Sequence, residues 1–372
     1  MAVLYAAIFA FAGIQLPFLP VWLAAKGLDA REVGLVLATA MVARPVIVPV
    51  VTRIADRHGW AKGPLVLSAW LACISFFAVA LSDGFAAILI TFAISALPQA
   101  VVMPFTESYA LRGLAERGFA YGPVRLWGSV TFIAANLGGG LLLQRFGALD
   151  IVWALVAALI ATALAASLQT PLAAMRSKDV QAAPARPPLW RSRRFVAVVV
   201  AAGLIQASHA VYYGFASLQW AARGLDGTAI GALWAIGVIA EIVLFAASGR
   251  FLTGLRPFDL LAIGAGGAVL RWSVMAFDPP TALMPALQCL HALTFGATHL
   301  GAMLALGRFA AEHRGATAQG DYSAVVATMS AAAMGLAGVL VEAFGAYSYL
   351  AMAAAAAIAG FILVAAGRET LG

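Results

Sequence analysis

Apolar runs of about twenty residues recur from one end of this 372-residue chain to the other. Hydrocarbon offers no partner for a backbone N–H or C=O. Such runs can therefore only be transmembrane helices or strands of a closed barrel. The ten-residue alternation of barrel strands is absent, so the spans are helices. Twelve are drawn, at 2–25, 32–53, 64–82, 85–110, 124–144, 150–168, 195–222, 228–249, 258–277, 281–307, 320–344 and 347–367. Composition agrees: 63% of residues are hydrophobic and only 10% charged, which no soluble globular chain sustains. The expected fold class is an all-α polytopic membrane protein.

Loop charge sets the orientation. With the N-terminus inside, sixteen lysines and arginines face the cytoplasm and four (Lys26, Arg31, Arg145 and Arg223) face out. The other three, Arg44, Arg125 and Arg271, lie within spans. The asymmetry places both termini in the cytoplasm. Arginine far outnumbers lysine, and alanine is abundant, which suggests a GC-rich bacterial genome; the expected location is a bacterial inner membrane. Residues 1–5 carry no basic residue and no small-residue cleavage site follows, so no cleavable signal peptide is expected. Cys73 and Cys289 both fall in apolar spans, which argues against a disulfide framework or a metal cluster. No cofactor is expected.

The polar, proline-rich stretch 169–194 separates six spans from six. Its basic end, Trp190-Arg-Ser-Arg-Arg194, reads as a positive-inside anchor; a nucleic-acid partner is not expected. The halves echo one another. Val21-Trp-Leu-Ala-Ala-Lys-Gly-Leu-Asp29 answers Leu218-Gln-Trp-Ala-Ala-Arg-Gly-Leu-Asp226, and Gly34 answers Gly231 at the same offset. Carried forward, that offset sets Arg44 against Glu241. The expected organisation is a six-helix bundle at 1–168, a linker at 169–194 and a second bundle at 195–372. Parallel repeats of this kind put a transport site at the membrane midplane between the halves.

A charge at bilayer depth costs at least about 2.5–3.5 kcal/mol, so it needs a partner or a wet cavity. Glu107 ends one run and Arg125 opens the next, with 111–122 expected only to turn the chain; the two read as a pair lining one cavity. Helical spacing groups other polar residues into stripes. Arg125, Ser129, Phe132 and Asn136 share a face, as do Gln206, His209 and Tyr213. Gln288, His291, Phe295 and His299 form a third stripe, read as functional because it carries two histidines and a glutamine. His209 alone reads equally well as a structural histidine. Gln15, Arg44, Glu241 and Arg271 stand singly in other spans. Arg44 with Glu241 could be a structural tie, but a carboxyl group withdrawn from water favours its neutral form, as a proton carrier must. Gly138 to Gly140 and Gly335 with Gly338 suit close helix contact.

The loop Arg53-Ile-Ala-Asp-Arg-His-Gly-Trp-Ala-Lys62 resembles the conformational signature of the major facilitator superfamily, carried here by Asp56, Arg57, Gly59 and Lys62. Three further motifs resemble the phenylpropionate permease family, a branch close to lactose permease and the nucleoside:proton symporters. They are Tyr121-Gly-Pro-Val-Arg-Leu-Trp-Gly-Ser129, Arg271-Trp272, and Gln288-x-x-His-x-Leu-Thr-Phe-Gly-x-x-His299. The resemblance implies a two-bundle, twelve-helix transporter, expected as a monomer in membrane lipid, that couples protons to uptake of a small organic solute such as an aromatic carboxylate. It implies substrate binding by Glu107 and Arg125, completed by Gln15, Gln288, His291 and His299. Proton coupling would fall to Glu241, Arg271, His291 and Arg44. The sequence departs at Thr294, where lactose permease carries its proton-bearing glutamate. Nucleoside or sugar symport and drug:proton antiport are the alternatives; no arrangement supports an enzyme.

Overall fold

The computed structural model describes residues 1–58, 62–170, 172, 189–251, 254–309 and 315–368, and among them every regular element is helical. In order these are α1 (Ala2–Ala25), α2 (Ala30–Arg57), α3 (Lys62–Leu81), α4 (Phe85–Ala115), α5 (Tyr121–Phe146), α6 (Ile151–Ser167) and α7 (Arg193–Ala207). They continue with α8 (Ala210–Ala222), α9 (Gly227–Phe251), α10 (Pro257–Met275), α11 (Met284–Cys289), α12 (Thr298–Phe309), α13 (Gly315–Phe344) and α14 (Ser348–Arg368).

Ten stretches are long and apolar enough to cross a membrane. Helices α7 and α8 together make one, and α11 with α12 another. Helix α6 is apolar but only 17 residues long. The last stretch, Ala318–Ala366, runs 49 residues. As one unbroken helix it would extend about 74 Å at 1.5 Å per residue, more than twice the hydrocarbon core. It is broken at Gly345–Tyr347, where Gly345 takes φ +54°.

Two compact units result. Unit 1 is Met1–Ala183 together with Trp220–Ala235; unit 2 is Pro184–Gln219 together with Ile236–Gly372. In unit 1, α1 packs along α5 and α6, and α4 against α2 and α3. In unit 2, α7 packs on α13 and α14, and α10 on α12 and α14. Prolines inside α1, α2 and α4 (Pro17, Pro20, Pro45, Pro49, Pro98 and Pro104) remove ladder donors from these helices.

The repeated Gly-Leu-Asp has one local structure at both places. Gly27 and Gly224 take φ +87° and +84°. Leu28 N–H returns to Leu23 C=O and Leu225 N–H to Trp220 C=O, closing the preceding helix in a left-handed turn. Asp29 then accepts from Glu32 N at 2.9 Å, and Asp226 from Ala229 N at 2.7 Å. Each aspartate satisfies an orphan donor at the start of the next helix.

Within unit 1 the backbone closes tightly where α5 meets the start of α9. A Cβ on Gly140 would sit 2.1 Å from Gly227 O, and one on Gly231 would sit 2.2 Å from Asn136 O. Gly139 receives the Phe18 ring, with a Cβ position 2.7 Å from it. Gly138 and Gly335, expected to serve the same purpose, meet nothing within 4 Å.

Candidate functional site

The first cluster lies in unit 1. Glu107 stands three residues past Pro104 on α4, and Arg125 in the first turns of α5. The segment 111–122, expected only as a turn, proves partly helical: α4 continues to Ala115 and α5 begins at Tyr121. Pro123 is compatible because a first-turn residue needs no ladder donor. Tyr121 is thereby aimed at the site. Its hydroxyl donates to Glu107 Oε2 at 2.5 Å, and the Tyr5 hydroxyl donates to the same oxygen at 3.0 Å. Arg125 Nε lies 3.6 Å from Glu107 Oε1. The guanidinium carbon sits 4.2 Å from the Phe9 ring centroid, a cation–π contact. Gly128 leaves the room for it, since a Cβ there would lie 2.8 Å from Phe9 and 3.0 Å from Arg125 Nη1. The Arg125 and Glu107 side chains remain 30% and 29% exposed, so the pair is only partly buried. Glu107 is well supplied with donors, whereas Arg125 donates no hydrogen bond among the described residues. Its guanidinium still offers its fork of N–H groups.

The second cluster lies in unit 2 and is more deeply buried. Arg271 on α10 is fully buried. It donates from Nη2 to Gln288 Oε1 at 2.6 Å, and from Nη1 to His291 Nδ1 at 3.2 Å and Thr294 Oγ1 at 3.4 Å. Its flat face lies against Tyr212 (4.4 Å) and Trp272 (4.7 Å). All its acceptors are neutral. Arg271 Nε and Gln288 Nε2 are buried without a hydrogen-bond partner.

Two breaks in helices build this network. At the α7–α8 junction, the Ser208 hydroxyl and His209 Nδ1 both donate to Ile205 C=O, at 2.6 and 3.0 Å, and compete with the helical ladder. His209 Nε2 is left as an acceptor and receives the Thr294 hydroxyl at 2.9 Å. Between α11 and α12 the chain forms a π-helical turn, Ala292–Ala297. Such turns insert a residue into the helical register and recur at functional sites. His291, Phe295 and His299 stack in sequence at 5.4 and 6.0 Å, so the expected stripe survives as a ladder of rings. Only Gln288 and His291 of that stripe reach Arg271. His299 packs instead beside Phe245. Thr294, noticed in the sequence only as a departure, is a member of the network.

Glu241 on α9 completes it. Its Oε2 lies 3.7 Å from His291 Nε2. Gly296 lets α9 pack closely here, since a Cβ there would lie 2.8 Å from Leu244, and it also borders Glu241. Because Arg271 can only donate, His291 Nδ1 must accept, and the ring's proton sits on Nε2, facing the carboxylate. The imidazole thus links Glu241 to Arg271.

Gln15 and Arg44 belong to neither cluster; both line a cavity in unit 1. Of the signature residues, Asp56 and Arg57 end α2 and Lys62 opens α3. The side chains of Asp56 and Arg57, and all of Gly59, lie outside the described residues. Tyr5 and Phe9 went unnoticed in the sequence, and Tyr121 stood there only as the first residue of a motif. Only the four-residue spacing of Tyr5 and Phe9 hinted at a shared aromatic face.

Residues 1–351 match the family model described as the MFS_1 like family. The chain belongs to that family. This MFS_1-like protein is 33% identical over 333 residues to the "Probable 3-phenylpropionic acid transporter" of Escherichia coli (strain K12), covering 87% of the chain and 85% of that relative. It is 27% identical to the maltose permease of Geobacillus stearothermophilus, covering 85% and 80%. A mutant of the nucleoside transporter NupG superposes with a TM-score of 0.87 at 16% identity, covering 98% of each chain. The MFS_1-like chain is therefore a multi-pass membrane transporter of the major facilitator type, and its relatives and fold neighbours are transporters, not enzymes.

Proposed function

We propose that this transporter couples inward proton movement to uptake of a small organic anion, an aromatic carboxylate of the phenylpropionate kind, by alternating access. The observation that carries the proton coupling is the line Glu241–His291–Arg271: a carboxylate that faces a neutral imidazole at 3.7 Å, itself tied to a buried cation. Glu241 takes and releases the proton. When ionised it faces the Nε2–H of His291; when neutral it leaves the Arg271 charge without a counter-ion in the network. That electrostatic deficit favours an incoming anion, which links proton and cargo in one thermodynamic cycle.

The anion preference rests on Arg125. Its guanidinium has donors to spare, while Glu107 already accepts from two phenols, so the pair receives a carboxylate more readily than it receives sugar or nucleoside hydroxyls. Phe9 offers a ring beside the same cation. The 33% identical relative, named for 3-phenylpropionic acid, supports the same class.

For the membrane arrangement we keep twelve crossings in two pseudo-repeated six-helix halves joined by 169–194. The protein is a monomer in a bacterial inner membrane with both termini inside. The matched Gly-Leu-Asp turns and the loop charges support this reading.

The test is uptake of labelled 3-phenylpropionate, uridine and lactose into proteoliposomes with an imposed inward proton gradient. Accumulation of phenylpropionate alone is expected. Accumulation of uridine or lactose instead would overturn the cargo assignment, and uptake indifferent to the gradient would overturn the coupling.

A further inference from the structure

A second compartment opens on another face of α1. Tyr5, Phe9 and Gly13 face α5, whereas Ile8, Phe11, Ala12 and Gln15, spaced at i, i+3, i+4 and i+7, line a cavity of about 270 Å³ shared with α2, α4 and α6. Its walls are apolar, with Phe11, Phe92 and Leu159 among them, and its main polar groups are Arg44, Gln15 and Gln99. No carboxylate lines it. Arg44 lies midway along α2, is exposed rather than packed into the protein, and makes no ion pair or hydrogen bond among the described residues. Gln15 likewise makes none, and Gln99 spends its amide on Ser95 Oγ at 2.5 Å. A cation at that depth needs an anion or water, and here the protein supplies no anion.

We propose that this cavity is a second binding site, distinct from the Glu107–Arg125 pair, for a small monoanion with a flat apolar body. Arg44 receives the carboxylate on its guanidinium fork, Gln15 donates a further hydrogen bond, and Phe11 and Phe92 hold the apolar part. The volume, just below the usual range for drug-sized ligands, admits one aromatic ring with a short acid chain. Cations are rejected by charge. Polyhydroxylated solutes find too few polar partners. The proposal shares the cargo class of the preceding section but does not depend on transport.

The test is equilibrium binding of labelled 3-phenylpropionate and benzoate to purified full-length protein in lipid nanodiscs, comparing wild type, Arg44→Gln and Arg125→Gln. Two bound anions per wild-type chain are expected. Arg44→Gln should weaken one of them about 10- to 100-fold, the loss expected for a charge-assisted contact, and leave the other intact. Thermal melting of each variant, with Gln15→Leu as a milder second probe expected to weaken the same class, separates lost binding from lost folding. One anion per chain, unaffected by Arg44→Gln, would overturn the proposal while leaving the Arg125 reading standing. Arg44-dependent binding in a protein that shows no proton-driven uptake would support this site and overturn the proton-coupling reading. No binding of either probe would overturn this site.

Discussion

Arg271 donates to His291 Nδ1 at 3.2 Å, and that bond places the ring's proton on Nε2, 3.7 Å from Glu241. The carboxylate and the guanidinium therefore communicate through a neutral imidazole. A second proton cannot enter His291 at Nδ1 while Arg271 occupies it, so in the proposed coupling the exchangeable proton is assigned to Glu241.

Arg271→Lys tests the geometry of this arrangement. A lysine keeps the charge but cannot present a planar fork to Gln288, His291 and Thr294 together. Losing one or two charge-assisted bonds in a buried site costs about 2–4 kcal/mol. A lowered melting temperature and uptake reduced more than about tenfold are expected, read by thermal melting and by initial uptake rates.

Thr294→Val preserves shape but removes the hydroxyl that joins Arg271 to His209. His209 Nε2 would lose its donor, at about 1–3 kcal/mol. Thr294→Ser should restore both stability and uptake. A defect in the serine variant with the valine variant unaffected would show that the methyl packing, not the hydroxyl, matters.

The unit 1 pair should behave differently because it is only partly buried. Arg125→Gln should change stability by less than about 1 kcal/mol, as for an exposed ion pair. Cargo affinity should fall about 10- to 100-fold through loss of a charge-assisted contact. Glu107→Gln removes the competing anion and should leave carboxylate affinity nearly unchanged. Binding isotherms on both variants check this, and a Glu107→Gln defect as large as that of Arg125→Gln would favour a hydroxylated cargo.

Gly140→Ala forces a Cβ to within 2.1 Å of Gly227 O, so the backbones must part. A loss of about 1–3 kcal/mol is expected, as for overpacking elsewhere. Gly138→Ala meets nothing within 4 Å and should be neutral. Paired melting curves check the contrast.

Much of the fold was legible because hydropathy alone dictates membrane helices, and Glu107 and Arg125 stood out as charges in apolar sequence. Their aromatic partners did not. Tyr5 and Phe9 sit in a helix apolar on every side, where nothing marks a ring that faces a site from one that faces lipid. The π turn was equally invisible, since Ala292 to Ala297 reads as ordinary helix. That turn decides which side chains after His291 meet Arg271, and it brought in Thr294. Helix α5 began earlier than expected because Gly122-Pro123 reads as a break, although proline is tolerated in a first helical turn.

The central claim is that Glu241 carries the coupled proton, and Glu241→Gln tests it most directly. In proteoliposomes with an inward proton gradient, the variant should lose accumulation of labelled 3-phenylpropionate yet retain exchange of labelled for unlabelled cargo across the membrane. Accumulation as steep as that of wild type would remove Glu241 from the coupling mechanism.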